Sequence, residues 1–293
     1  MYDDLIKQLT DSGNYKVIKR LEPVTQYHPA NDLAKKIGIY LDTEATGMEL
    51  DTDKIIELAM VPFEFDEDGH IYRILPVYTE LQDPNMPISE FITSITGITD
   101  EMVKGKSIHW EAVSKLLNSA DIVIAHNARF DRPFLEKKLD TFKEVAWGCS
   151  LADVDWNVEG FEGVKLEYLA YKYGFFYEGH RAQVDCMAGI EILSRTLPKS
   201  GVPVLKRLLD NARRTDVRLW AEGAPFTMKD VLKKRGYRWS PGEEGKRKAW
   251  YFDLPEDKLD EEMRFLNESV YSKPVWILPM DRYDAKVRYS KRV

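Results

Sequence analysis

Asp42 and Glu44 stand two residues apart just beyond a short apolar run, 37–41. Side chains two apart on a strand share a face, so these carboxylates converge. Alone, an acidic pair at a strand end is more often solvated than functional. Thr46-Gly47 follows directly, and a glycine there lets the backbone come close to a ligand. Asp131 ends Ile124-Ala125-His126-Asn127-Ala128-Arg129-Phe130-Asp131, a buried strand running into a helix start, where by itself it would serve as a first-turn acid favoured by the helix dipole. His180 and Asp185 bracket the start of a third element. Positions five apart on a helix are about 140° from each other, so His180 approaches Asp185 only from the preceding loop, a geometry that Gly179 permits.

Four carboxylates buried in one place repel each other and take up protons unless cations neutralise them. Two divalent ions offset the charge, and an all-oxygen ligand set of Asp42, Glu44, Asp131 and Asp185 favours Mg2+ or Mn2+ over zinc. In such a two-metal site one ion lowers the pKa of an attacking water and the other stabilises a departing 3′-oxygen. His180 then supplies the near-neutral base that takes the water's proton, against the plain alternative of a surface loop histidine.

A sheet is needed to hold these groups. Residues 37–41 are of strand length, and 55–65 and 71–81 read as a hairpin around Asp66-Glu67-Asp68-Gly69. The Asp-Gly step there supplies a tight turn's positive φ, which makes those acids turn residues rather than calcium ligands. Residues 110–117 have helical spacing, 121–125 form a fourth strand, 133–139 continue as helix, and 145–151 read as a fifth strand. Residues 165–173 and 182–197 carry apolar side chains at three- and four-residue intervals, as amphipathic helices do. The pattern predicts an α/β fold, a mixed sheet flanked by helices. The first 34 residues are expected to supply a short helix, a strand at 15–18 and a Pro-containing connection packed on the main domain. Leu197-Pro198-Lys199-Ser200-Gly201-Val202-Pro203 is the strongest cluster of breakers. The main domain is therefore set at 35–198, a linker at 199–215 and a small accessory domain at 216–293.

A net charge of −7 over 293 residues argues at first against a polyanionic partner. Divided along the chain it does not: residues 204–293 hold 21 Lys+Arg against 15 Asp+Glu, leaving −13 for residues 1–203. The basic segment also carries Trp220, Trp239, Trp250 and Trp276 beside Lys233-Lys234-Arg235-Gly236-Tyr237-Arg238 and Lys246-Arg247-Lys248. Basic groups interleaved with aromatics suit phosphate attraction and base stacking, the alternative being tryptophans in a small core. No apolar run approaches the roughly 18–20 residues that cross a bilayer, and Met1-Tyr2-Asp3-Asp4 has no basic leader, so a cytoplasmic protein without a membrane partner is expected. Cys149 and Cys186 have no metal-ligand partner at short spacing and read as reduced packing thiols. Homo-oligomer formation is left open.

Taken together, the three acidic elements resemble the DEDD superfamily of 3′ to 5′ exonucleases, in the histidine-containing branch with the proofreading subunit of bacterial DNA polymerase III, RNase T and exonuclease X. Asp42-Thr43-Glu44-Ala45-Thr46-Gly47 is similar to the first motif, residues 126–131 to the second, and His180 with Asp185 to the third; Ile95-Thr96-Gly97-Ile98-Thr99 resembles the segment between the first two. Ala45 replaces the usual threonine, removing a hydroxyl near the terminal nucleotide. The resemblance covers about residues 36–197. It implies a ribonuclease H-like sheet, a nucleic-acid partner with a free 3′ end (DNA favoured) and release of nucleoside 5′-monophosphates. It further implies contacts to the last nucleotide from Thr46, Gly47, Met48, His126, Asn127 and Phe130, although Met48 and Phe130 would equally suit a core. A 3′ exoribonuclease of the same fold is the nearest alternative. A catalytically silent binding module is disfavoured by the intact acids and base.

Overall fold

In chain order the elements that carry the acids run α1 (Asp3–Asp11), β1 (Lys19–Arg20), β2 (Lys36–Ala45), β3 (Ile55–Phe65), β4 (Ile71–Ile74), β5 (Tyr78–Leu81), α2 (Glu90–Thr96), α3 (Asp100–Val103), α4 (Trp110–Asn118), β6 (Ile122–Ala125), α5 (Ala128–Glu136), α6 (Thr141–Glu144), β7 (Trp147–Cys149), α7 (Leu166–Lys172), β8 (Phe175–Phe176), α8 (Ala182–Leu193) and α9 (Val204–Arg213). This computed structural model describes residues 2–31, 33–242, 247–271 and 277–292. The main sheet has the order β4-β3-β2-β6-β7, with β5 also on β3. β2 runs antiparallel to β3 and parallel to β6, and β6 parallel to β7, so the sheet is mixed. Both its faces are covered. Ile39 and Leu41 of β2 pack with Val113, Leu117, Phe134 and Trp147 on one side, whereas Tyr40 packs with Leu169, Cys186, Ile190 and Leu208 on the other. That double covering explains why β3 is buried along almost its whole length and reads as an apolar run without alternation.

The turn at 66–69 is as expected: Gly69 has φ +81°, and the Asp66 carboxylate accepts from the backbone of Asp68 and His70 and from the Tyr72 hydroxyl. Several boundaries differ. Residues 71–81 form two strands, interrupted at Leu75-Pro76-Val77, where proline has no N–H to give a ladder. The N-terminal strand lies at Lys19–Arg20 rather than 15–18, because it pairs parallel with Phe175–Phe176. The helix expected at 133–139 starts at Ala128, which puts Asp131 near its beginning. α8 ends at Leu193, not at 197.

The expected linker at 199–215 is mostly helix. Val204, Leu205, Leu208, Leu209 and Ala212 of α9 are buried in the same core as Tyr40. The breakers before it only turn the chain: Leu197 N donates to Val202 O at 2.8 Å, and the Glu159 carboxylate accepts from the backbone of Lys199 and Ser200. One compact unit comprises residues 1–212 with 289–292, and the other residues 213–288. The last stretch belongs to the first unit: Tyr289 is buried there and donates to Asp153 at 2.6 Å, and Arg292 pairs with Glu136.

The second unit is a small α/β body. β9 (Asp216–Ala221), α10 (Lys229–Arg235), β10 (Arg238–Pro241), β11 (Lys248–Pro255), α11 (Leu259–Ser269) and β12 (Met280–Tyr283) form an antiparallel sheet of order β10-β11-β9-β12 with a core of Val217, Leu219, Leu232, Leu254 and Leu266. With its boundaries at 213 and 288 it holds 17 Lys+Arg against 14 Asp+Glu, a charge of +3 rather than the +6 counted from residue 204. Trp220 is buried and donates to Asp281, Trp250 packs against the core, and Trp239 stands half exposed, edge-on to Trp250. Trp276 and Lys246 lie outside the described residues. Among the described residues no helix is long and apolar enough to cross a membrane.

Candidate active site

Gly189 explains how the third motif meets the first. An added Cβ would lie 2.1 Å from the Tyr40 ring, so only glycine lets α8 lie this close over the face of β2 that carries Tyr40. Asp42 and Glu44 continue that face toward the strand end. Asp185, one helical turn before Gly189, is thereby laid against them. Ligand oxygens of Asp42, Glu44 and Asp185 lie within 4.8 Å of one another.

Asp131 approaches from the other side of β2. Its Oδ1 accepts from the Thr43 backbone N at 3.0 Å and from Thr43 Oγ1 at 2.7 Å. It is 1% exposed and stands outside the group of three, yet it is the charge that acts most strongly on Asp42. Burial, then the charges of Asp131, Asp185 and Glu44, lift the Asp42 carboxyl well above its ordinary range. Burial with Asp185 and Glu57 pushes Glu44 to about 8. Burial raises Asp131 to about 7 against the Thr43 hydrogen bonds, and Asp185 to about 6 against donors that include the His180 and Arg181 backbone. Such a cluster retains protons until a cation replaces them.

His180 is exposed and sits in the loop before α8, as expected, but the residue that takes the left-handed conformation is His180 itself, at φ +65°, not Gly179. A glycine-type conformation at a non-glycine residue persists only where its surroundings hold it. Here they do: Arg181 N donates to Asp185 Oδ2 at 3.1 Å, while Glu57 takes Arg181 Nη2 at 2.8 Å, Arg181 Nε at 3.2 Å and Ala182 N at 2.9 Å. Glu57, 3% exposed and directly opposite Glu44 in the β2–β3 register, is the participant the motif analysis missed. A single acid inside the apolar run Ile55-Ile56-Glu57-Leu58-Ala59-Met60 was the signal available, since a buried acid requires partners.

The expected substrate contacts separate into two sets. The Thr46 hydroxyl donates to Asp53 and accepts from Lys54 N, and Gly47 is needed because an added Cβ would lie 2.5 Å from Asp53 Oδ2; both shape their own loop. His126 is committed internally. Its Nε2 donates to Val164 O at 2.8 Å, and burial lowers its pKa to about 4, so the ring is neutral and Nδ1 accepts from Ser150 Oγ at 2.9 Å. Tyr40 OH, 2.8 Å from Ser150, completes the chain as donor. His126 thus has no ring nitrogen left for a ligand. Met48, 78% exposed, and Asn127, exposed at φ +70°, remain accessible, and Phe130 is half-buried against Phe134.

Residues 39–193, more than half of the chain, match the model of the RNase T exonuclease family. The chain is 30% identical over 162 residues to the DNA polymerase III subunit epsilon of Treponema pallidum (52% of this chain, 73% of that protein). It is 29% identical over 167 residues to the PolC-type DNA polymerase III of Caldanaerobacter subterraneus, where the match takes 55% of this chain and only 12% of the relative's length. The PolC-type polymerase of Lacticaseibacillus paracasei is likewise matched over 12% of its length. In fold it is similar to E. coli Exonuclease I crystallised with a dA16 oligonucleotide, at a TM-score of 0.51 and 15% identity over 80% of this chain and 71% of that one. The motif order, the sheet and these likenesses agree, and the chain belongs to the DnaQ-like family of 3′-5′ exonucleases.

Proposed function

We propose that the first unit hydrolyses the terminal phosphodiester at the 3′ end of a polynucleotide, DNA in preference to RNA, and releases nucleoside 5′-monophosphates. The convergence of Asp42, Glu44 and Asp185 within 4.8 Å, with Asp131 beside them, carries this reading. Four carboxylates whose pKa values stay raised although Arg181, itself paired with Glu57, acts on Glu44 fit divalent cations, and the oxygen donors favour Mg2+ or Mn2+. Two such ions, when bound, would supply the Lewis acidity that activates a water and stabilises the departing oxygen. The chain's own residues do the rest. His180 accepts the proton of the water as its oxygen attacks the phosphorus of the last nucleotide; the bond to the preceding 3′-oxygen breaks, and that oxygen takes a proton from solvent. Arg181, locked to Glu57, holds the loop that presents His180. Met48 and Asn127 face the terminal nucleoside, with Phe130 at its edge.

End-labelled DNA and RNA of equal length, single- and double-stranded and blocked at either end, test this reading. Mg2+-dependent shortening of 5′-blocked but not 3′-blocked DNA is expected, with mononucleotide products. Cleavage of a closed circle at a comparable rate would refute it, and faster shortening of RNA would favour an exoribonuclease instead.

A further inference from the structure

β6 and β3 flank β2 on opposite sides, so the carboxylates have two different neighbourhoods. Asn127 and Phe130 follow β6. On the β3 side, where Arg181 meets Glu57, lies an open cleft of about 610 Å3 lined by Arg20, Leu21, Ile95, Gly97, Arg181 and Gln183 among others. Its volume lies within the range of ligand sites, and its lining mixes apolar groups with two guanidinium groups. One wall comes from the N-terminal segment, ahead of the family match that begins at residue 39. That wall is built in: Lys19 N donates to Gly174 O at 3.1 Å and Leu21 N to Phe176 O at 2.8 Å, and the Arg20 guanidinium lies 5.2 Å from the centre of the Phe176 ring. Arg20 also pairs with Glu178 at 3.0 Å, but with side chains 59% and 81% exposed. A pair so exposed is weakly held and yields to a phosphate, which offers a guanidinium two oxygens at once.

We propose that this cleft holds the nucleotide on the 5′ side of the scissile bond and that Arg20 contacts its backbone phosphate. The inference rests on the nuclease reading above. A strand whose last nucleoside lies on the β6 side passes the carboxylates and leaves on the β3 side, where the cleft is. The N-terminal segment thereby adds to the substrate path a wall that lies outside the family-matched region.

Two substrates separate the parts. Thymidine 5′-monophosphate p-nitrophenyl ester carries nitrophenol where an oligothymidylate carries its upstream nucleotide. The readouts are the ratio of kcat/KM for oligonucleotide over ester, and the salt dependence on the oligonucleotide. Arg20→Glu should lower the ratio by about tenfold, and Arg20→Ala should flatten the logarithmic salt slope by roughly 0.7, as for one lost phosphate contact. Glu178→Gln should raise the ratio, because it removes a competitor for Arg20; a merely structural role for the pair predicts a fall in both variants. An unchanged ratio and slope in the Arg20 variants would overturn the proposal with the nuclease reading intact. Failure of the unmodified protein to hydrolyse either substrate in Mg2+ or Mn2+ would overturn both.

Discussion

In the C-terminal unit, Asp216 is 7% exposed and receives Arg288 Nε at 2.6 Å and Arg214 Nε at 3.0 Å. Asp253 is gripped by both Arg218 nitrogens at 2.7 and 2.9 Å, and Glu262 by Arg235 and the Tyr237 hydroxyl. In the first unit, Asp131 is as deeply buried, Asp42, Glu44 and Asp185 are partly exposed, and the strongest charges acting on Asp42 and Glu44 are those of other acids. Where the chain supplies the cation, a buried acid belongs to the architecture. Where four acids crowd one another and the nearby Arg181 is already paired with Glu57, the nuclease reading takes the remaining charge from bound cations. Glu57 is the intermediate case: it stands beside the clustered acids but is neutralised by Arg181 in the manner of the C-terminal unit.

The largest expected effect separates the two kinds of acid. Asp42→Ala, Asp185→Ala or a chelator should each reduce hydrolysis by at least about a thousandfold, while the metal-free melting temperature stays level or rises, since repulsion is relieved. Full activity in EDTA would end the metal reading. The opposite pattern is expected for Asp216→Asn, which leaves the 3% exposed Arg288 without its carboxylate and should destabilise by about 3 kcal/mol in denaturant melts. Hydrolysis of the nitrophenyl ester should survive it at permissive temperature. Glu57→Gln should lie between them, lowering kcat by about tenfold with little change in KM, because it loosens His180 without touching the substrate. In a His180→Ala background the same substitution should cost almost nothing more; additive losses would assign Glu57 a role apart from the base.

The smallest effect concerns pH. Below about pH 3 the cluster is neutral in both folded and unfolded chains. As pH rises toward 8 the unfolded chain sheds protons that the folded site still holds, with Asp185 at about 6, Asp131 at about 7 and Glu44 at about 8. Chelated protein should therefore lose stability steadily across pH 4–8, and Mg2+ or Mn2+ should restore more at pH 8 than at pH 5.5. A chelated protein that gains stability over this window through the cluster, judged against Asp185→Asn, would contradict the assigned repulsion.

The motif acids were legible because strand alternation and helical turns are local rules, and the four residues obey them. The sheet was legible for the same reason. Most of what escaped depends on contacts distant in sequence. Arg181 and Glu57 are 124 positions apart: the lone acid in its apolar run signals that Glu57 needs a partner, but no local pattern says which. Thr46, Gly47 and His126 belong to motifs whose resemblance implied substrate contact, but Asp53, Ser150 and Val164 occupy their polar groups or the space beside them. The boundary at 199–215 failed for a different reason. Proline and glycine mark a change of chain direction, and a turn between two packed helices needs one as much as a domain border does. Val204, Leu205, Leu208, Leu209 and Ala212 carried a helical apolar period that outweighs those breakers.

The return of Tyr289 to the first unit changes what the C-terminal unit is. The chain leaves at Arg213 and comes back after Arg288, and Arg288 Nη2 donates to Arg214 O at 2.8 Å, so the two crossing points are neighbours. A segment whose ends meet is topologically an insert, and such segments tolerate exchange as cassettes. Cutting the chain at residue 203 would strip α9 from the core, and cutting at 212 would strip Tyr289. Replacing the stretch between Arg213 and Arg288 by a few flexible residues would keep both, so the catalytic body can be isolated, or given a different appendage, without being truncated.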